Sequence, residues 1–131
     1  MKQSTRLAVV DDDEVFQLII RKQIEMNDLK CEIVQFLNGK DILDFLIENH
    51  DNQQDLPDII MLDVNMPIMD GWEFLDTYRD LSPDIRKKIR LYMVTSSVIQ
   101  SDIDKAKRDK NILRFISKPI SNKQLSEILS D

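Results

Sequence analysis

Pro57-Asp58-Ile59-Ile60-Met61-Leu62-Asp63-Val64-Asn65-Met66-Pro67 decides the reading of this chain. Ile59 to Leu62 is an apolar run of strand length without polar alternation, the pattern of a strand covered on both faces. Asp63 stands directly at its end, and Pro67, Asp70 and Gly71 break the chain before the next helical pattern. In parallel sheets ligands gather beyond the carboxyl ends of the strands, which places Asp63 where chemistry happens.

Upstream, Leu7-Ala8-Val9-Val10 is a second such run, ending in Asp11-Asp12-Asp13-Glu14. From Val15 to Met26 apolar residues fall at helical spacing in two stripes, Val15, Leu18, Ile19 and Phe16, Ile20, Ile24. Asp13 or Glu14 suits the start of that helix, where the dipole favours negative charge. Cys31 to Phe36 reads as a half-alternating strand, as expected at a sheet edge, closed by Asn38-Gly39. A second helix is expected to turn Ile42, Leu43, Phe45, Leu46 and Ile47 inward.

Downstream, a third helix runs from about Gly71 to Asp80, with Phe74, Leu75, Tyr78 and Leu81 on one side. Ser82-Pro83-Asp84 interrupts it, and Ile85 to Lys88 has the makings of a further helical turn. Ile89 to Thr95 is a fourth strand ending in the hydroxyls of Thr95, Ser96 and Ser97. Ile99, Ile103 and Ala106 mark a fourth helix. Ile112 to Ile116 is a fifth strand, followed by Ser117-Lys118-Pro119, and Leu125, Ile128 and Leu129 mark a short fifth helix. Strand alternates with helix five times, without repeat or linker. The expected fold is therefore α/β, a five-stranded parallel sheet with five helices and right-handed crossovers. One domain is expected over residues 1–131, with a core of about 5–130 and no output domain.

The 131 residues, 42% hydrophobic and 32% charged, describe an ordinary globular chain. A net charge of −6 argues against nucleic acid or an anionic membrane as partner. No apolar run approaches the ~20 residues of a membrane span. Met1 to Arg6 lacks a signal-peptide core, so the expected location is cytoplasmic. Cys31 has no partner cysteine and reads as a buried structural thiol.

The ends of the strands carry the function. Asp11 and Asp12, Asp63, Thr95 and Lys118 follow four of the strands, and parallel strands bring all of them to one edge. A lone Asp after a strand is usually a loop residue or a helix cap. Four capable positions at one rim are far more specific. Carboxylates crowded at ~4 Å repel by about 4 kcal/mol per pair at an effective dielectric near 20, so they hold protons or a cation. Hard oxygens with no His or Cys beside them favour Mg²⁺ over Zn²⁺. A Lys ammonium and a Thr hydroxyl next to Mg²⁺ are what a phosphoryl group needs around its equatorial oxygens. A carboxylate aligned with that site can act as nucleophile and form an aspartyl phosphate.

In these motifs the chain resembles the response-regulator receiver domains of two-component signalling, over essentially its whole length. The matching stretches are Val9-Val10-Asp11-Asp12, Met61 to Pro67, Met69-Asp70-Gly71, Met93-Val94-Thr95-Ser96 and Ser117-Lys118-Pro119. The resemblance implies a flavodoxin-like three-layer α/β/α fold with strand order 2-1-3-4-5. It implies that Asp63 accepts a phosphoryl group. Asp12, Asp63 and the backbone carbonyl of Asn65 would ligate Mg²⁺, and Asp11 would act through a water. Thr95 and Lys118 would each bind a phosphoryl oxygen, and the Lys118-Pro119 bond would be cis. Asn65 and Ser97 match positions that tune phosphate lifetime in that family, and both are small and polar enough to leave water access open.

The same resemblance makes Thr95 and Phe115 a switch pair. Phe115 carries no hydroxyl, so it would act by packing, and a plain core Phe is the alternative. The phosphoryl donor would be a histidine kinase or a histidine phosphotransfer protein. The target would be a protein docking on the face of the fourth helix, fifth strand and fifth helix, with homodimerisation through that face left open. Lys105, Lys107, Arg108, Lys110 and Arg114 cluster there, as a partner site or as a solvated helical face. His50, the single histidine, reads as a surface residue, and Trp72 as helix packing or as part of the site mouth. The protein is thus expected to be a signalling switch and not an enzyme. Two other readings compete. One is a phosphohydrolase of the haloacid-dehalogenase kind, against which Asn65 stands where a second Asp is needed. The other is a receiver-like scaffold that is never phosphorylated.

Overall fold

The computed structural model describes residues 5–97 and 99–130, so Met1 to Ser4, expected to lack a signal-peptide core, lie outside the described residues. Its strands are β1 (Thr5–Val10), β2 (Cys31–Phe36), β3 (Ile59–Leu62), β4 (Arg90–Thr95) and β5 (Ile112–Ser117). Its helices are α1 (Glu14–Met26), α2 (Gly39–Glu48), α3 (Gly71–Tyr78), α4 (Pro83–Lys88), α5 (Gln100–Arg108) and α6 (Asn122–Ser130). All neighbouring strands pair parallel, in the order β2-β1-β3-β4-β5. That is the doubly wound order expected from the motifs.

Side chains alternate across each strand, and the central ones divide between two cores accordingly. Leu7, Val9, Ile59, Met61, Tyr92 and Val94 face α1 and α6. Ala8, Val10, Ile60, Leu62, Leu91 and Met93 face α2, α3, α4 and α5. Each fully buried Ile or Leu contributes about 1.5–3 kcal/mol. The uninterrupted apolar run Ile59–Leu62 is thus explained by its central place, with both faces covered.

Register aligns the strand ends. Val10 pairs with Leu62 and Leu62 with Met93, so the residues after β1 and β3 emerge side by side. A register shift at Leu91/Tyr92 lets Thr95 pair with Ser117, one residue before Lys118.

Local chemistry starts the helices. Asp13 caps α1, its carboxylate accepting from the amides of Val15 and Phe16. Asn38 caps α2, and Asp70 with Glu73 forms a reciprocal capping box on α3.

Four details depart from the sequence reading. There are six helices among the described residues rather than five, because Ser82 caps α4 and Pro83 begins it with a preset φ. Buried Ile85 anchors that turn to the core, and the fourth and fifth helices of the reading become α5 and α6. Second, Val15, Leu18 and Ile19 are 65%, 53% and 48% exposed, because α1 can turn only one stripe to the sheet, that of Phe16, Ile20 and Ile24. Third, Ile47 and Ile99 face outward. Leu43 and Leu46 take the inward positions on α2, and Ile99 is the residue before α5.

Fourth, Cys31 is half-buried rather than buried, yet burial still pushes its thiol up to about 11. A two-unit rise lowers the thiolate fraction near neutral pH about a hundredfold, and higher intrinsic nucleophilicity offsets part of that. Alkylation by iodoacetamide at pH 8 is expected to run at least ~tenfold slower in the folded protein than in denaturant. Equal rates would mean the thiol is not held in this environment.

Candidate functional site: an acidic pocket at the strand ends

The parallel register gathers Asp11, Asp12 and Asp63 at the carboxyl edge. Their carboxylate oxygens lie within 4.8 Å of one another, with Asp11 and Asp63 buried and Asp12 exposed. The reading placed all three together, and here they are.

Asp63 is 6% exposed. Its Oδ1 accepts from the Val64 amide at 2.7 Å, which fixes the rotation of the carboxylate, and its Oδ2 faces the Lys118 ammonium at 3.4 Å. Lys118 sits closer to Asp11, with Nζ to Oδ2 at 2.6 Å. Asp11 Oδ1 accepts from the Asp13 amide at 2.9 Å, so both of its oxygens are engaged. Burial pushes the Asp11 carboxyl up to about 6, against the pull of Lys118 and the Asp13 amide. Burial opposes the charge on Lys118 too, but its bond to Asp11 and the charge of Asp63 outweigh it and hold the ammonium above the ordinary lysine range. The site stores two carboxylates around one cation. The Lys118-Pro119 peptide bond is cis.

Thr95 is fully buried at the end of β4. Its hydroxyl oxygen accepts from the Ser97 amide at 3.1 Å, and its carbonyl accepts from the Lys118 amide at 2.9 Å, which ties β4 to the lysine. Asn65 is exposed in the loop after β3, and Phe115 is half-buried against the core that holds Leu62 and Met93. Ser97 is 7% exposed, and its hydroxyl donates to Asp102 Oδ2 at 2.6 Å. Ser97 is thus bonded to α5 rather than open to solvent.

Three residues around the pocket escaped the sequence reading. Phe16 lies under Lys118, with Nζ 4.2 Å from the ring centroid. Gln17 is buried and fastens the ends of β1 and β2, its amide donating to the carbonyls of Val9, Asp11 and Phe36 at 2.9, 3.0 and 3.3 Å. The available signal was a polar residue inside the apolar stripe that continues with Ile20 and Ile24. Asp102 is the third. It joins Ser97 to Trp72, whose indole N–H donates to Asp102 Oδ1 at 3.0 Å. Trp72 thus bridges α3 to α5. His50 lies on the surface after α2.

The response regulator receiver domain family matches residues 7–130. The chain belongs to that family. A response regulator from Cytophaga hutchinsonii superposes with a TM-score of 0.85 at 24% identity, covering 97% of this chain and 95% of that one. A receiver protein from Dyadobacter fermentans gives a TM-score of 0.81 at 29% identity, covering 96% and 95%. The sensor histidine kinase CheAY of Helicobacter pylori is 29% identical over 120 residues, 92% of this chain and 14% of that protein. The hybrid histidine kinase I of Dictyostelium discoideum is 26% identical over 125 residues, 95% of this chain and 7% of the kinase. This receiver therefore spans a small part of the curated relatives it matches. Receivers are the switch modules of two-component systems and are phosphorylated by histidine kinases. No helix among the described residues of this receiver is long and apolar enough to cross a membrane.

Proposed function

We propose that this receiver accepts a phosphoryl group on Asp63, with Mg²⁺ as cofactor, and works as a switch that docks to another protein. The observation carrying the reading is the pocket itself: three carboxylates within 4.8 Å of one another, with Lys118 between two of them. Hard oxygen donors alone fit Mg²⁺: Asp12, Asp63 and the Asn65 carbonyl would hold it, with Asp11 acting through a water. When bound, Mg²⁺ supplies counter-charge to the oxygens of the transferring group.

The residues do the rest. The Val64 amide holds Asp63 Oδ1 in place, which leaves the other oxygen to meet phosphorus. The O–P bond to Asp63 forms as the P–N bond of the donor phosphohistidine breaks, and the departing imidazole nitrogen keeps the electron pair and takes a proton. Lys118 trades Asp11 for a phosphoryl oxygen, a short move given its 3.4 Å distance to Asp63. Thr95 donates its hydroxyl proton to another oxygen and drops the Ser97 amide. Phe115 then repacks inward, and the face of α5, β5 and α6 changes to the form that a target, or a second copy, binds. A histidine kinase or phosphotransfer protein reaches Asp63 past Asp12 and the exposed side of α1, where Val15, Leu18 and Ile19 offer apolar contact.

Incubation with acetyl phosphate and Mg²⁺ is expected to add one phosphoryl group by intact mass, and a chelator is expected to abolish the gain. Steady turnover of p-nitrophenyl phosphate would instead favour the hydrolase. No mass gain, together with an amide spectrum unmoved by beryllofluoride and Mg²⁺, would favour the scaffold.

A further inference from the structure

Away from the acidic pocket, α3, α4 and α5 enclose a cleft of about 660 Å³. Trp72, Asp76 and Arg79 line it from one side of α3, a span of about 10 Å at the rise of a helix. Arg86 of α4 and Lys105, Arg108, Asp109 and Lys110 in and after α5 complete the lining. Five cationic groups meet two carboxylates there, a net +3 on a chain whose net charge is −6.

The two carboxylates are already spent. Asp76 and Asp109 both bind Arg79, at 2.8 and 2.9 Å, and the Asp109 side chain is 4% exposed. Arg86 donates through Nε to the Leu81 carbonyl. Lys105 lies 5.3 Å from the Trp72 ring centroid. Among the described residues no carboxylate pairs with Lys105, Arg108 or Lys110. Cations in the last turns of α4 and α5 offset the helix dipoles. That accounts for their sequence positions, but not for their lining one open cleft beside an indole.

We propose that this cleft docks an acidic segment of a partner protein. Charge complementarity selects an anionic occupant, and the form of the cleft selects a peptide over a free phosphate. Arg and Lys clusters bind phosphate as well as carboxylate, but compact phosphate sites commonly add backbone amides from a helix N-terminus or a nest. Here the last turn of α5 and the C-cap of α3 bring carbonyls, and the positive charge sits on long separate side chains spaced along a trough. Carboxylates strung along a peptide match that spacing, and Trp72 supplies apolar contact between them. Lys105, Arg108 and Lys110, expected on the output face, thus line a cleft with α3, so the docking surface shares α5 with the α5–β5–α6 face but includes neither β5 nor α6. It is connected to the acidic pocket through Trp72, Asp102, Ser97 and Thr95. The inference concerns the unphosphorylated protein, so it fails or stands apart from the chemistry of Asp63.

Trp72 is the single tryptophan, so intrinsic fluorescence reads the cleft directly. Titration with capped hexaglutamate is expected to give a saturable change in emission that hexaglutamine does not give. The double variant Arg108→Glu with Lys110→Glu is expected to weaken binding at least ~tenfold, because charges of the wrong sign now line the trough. Lys30→Glu with Lys123→Glu makes the same change in net charge at exposed positions outside the cleft, and is expected to stay within ~twofold of wild type. All four positions are exposed, so circular dichroism is expected to match wild type, with only a small drop in melting temperature where Arg108→Glu opposes the dipole at the end of α5. Absence of a saturable signal, equal weakening by both pairs, or inorganic pyrophosphate binding as tightly as hexaglutamate would overturn the proposal.

Discussion

Asp63→Asn is expected to reduce Mg²⁺-dependent labelling by acetyl phosphate at least ~100-fold, because an amide oxygen is too weak a nucleophile to take the phosphoryl group. The substitution is nearly isosteric and keeps an acceptor for the Val64 amide at the position of Oδ1, so the pocket retains its shape. It also takes one negative charge out of a cluster of three. Without metal the variant is therefore expected to melt higher than wild type, by an amount on the order of 1 kcal/mol after the lost contact with Lys118 is deducted. Added Mg²⁺ is expected to raise the wild-type melting temperature more than that of the variant. Labelling that persists in a folded variant would move the acceptor elsewhere. A variant that melts well below wild type would mean that Asp63 serves structure rather than chemistry.

Gly71→Ala is expected to cost about 3 kcal/mol, the upper range for overpacking a tight site, and to lower the melting temperature by roughly 10 °C. Gly71 opens α3 directly below the acceptor, and its amide donates to the Val64 carbonyl at 2.8 Å. A Cβ there would stand inside the contact radius of the Asp63 carbonyl oxygen, and 3.1 and 3.2 Å from Val64 Cα and Asp63 C. All three atoms are backbone, so no rotamer relieves the clash. The end of β3 must shift, and the acceptor with it. Labelling is accordingly expected to slow along with the loss of stability. Gly39→Ala is expected to cost less than Gly71→Ala but not to be neutral, because a Cβ there would meet the Met69 carbonyl oxygen at 2.9 Å and Phe74 Cβ at 3.0 Å. A Gly71→Ala protein melting within ~2 °C of wild type would show that the strand end is softer than its packing implies.

Much of this was legible because each strand announces where it stops. Leu62 gives way to Asp63, Val94 to Thr95, and Val10 to Asp11, and the apolar-to-polar step marks the sheet edge without any knowledge of the fold. Even the ambiguous triplet resolved by one physical rule, since Asp13 caps α1 and leaves Asp11 and Asp12 for the pocket. Other features depend on which side of a helix wins. Either stripe of α1 was adequate on periodicity, and only the position of the sheet buries Phe16 in preference to Val15. The Ser97–Asp102–Trp72 links were out of reach for a further reason. The Trp72–Asp102 link joins α3 to α5 across 30 positions of sequence, and none of the three residues carries a local pattern that names its partner.

Gln17 gives the pocket something its charged residues cannot. One neutral amide holds three carbonyls at the ends of two strands. It neither gains nor loses a proton over the range in which the fold survives, and salt does not screen it. Lys118 and Thr95 change partners during the proposed cycle, whereas the floor beneath Asp11 is bolted down by a group indifferent to that cycle. In a machine this part would be the stator, the fixed frame against which the moving contacts register their displacement.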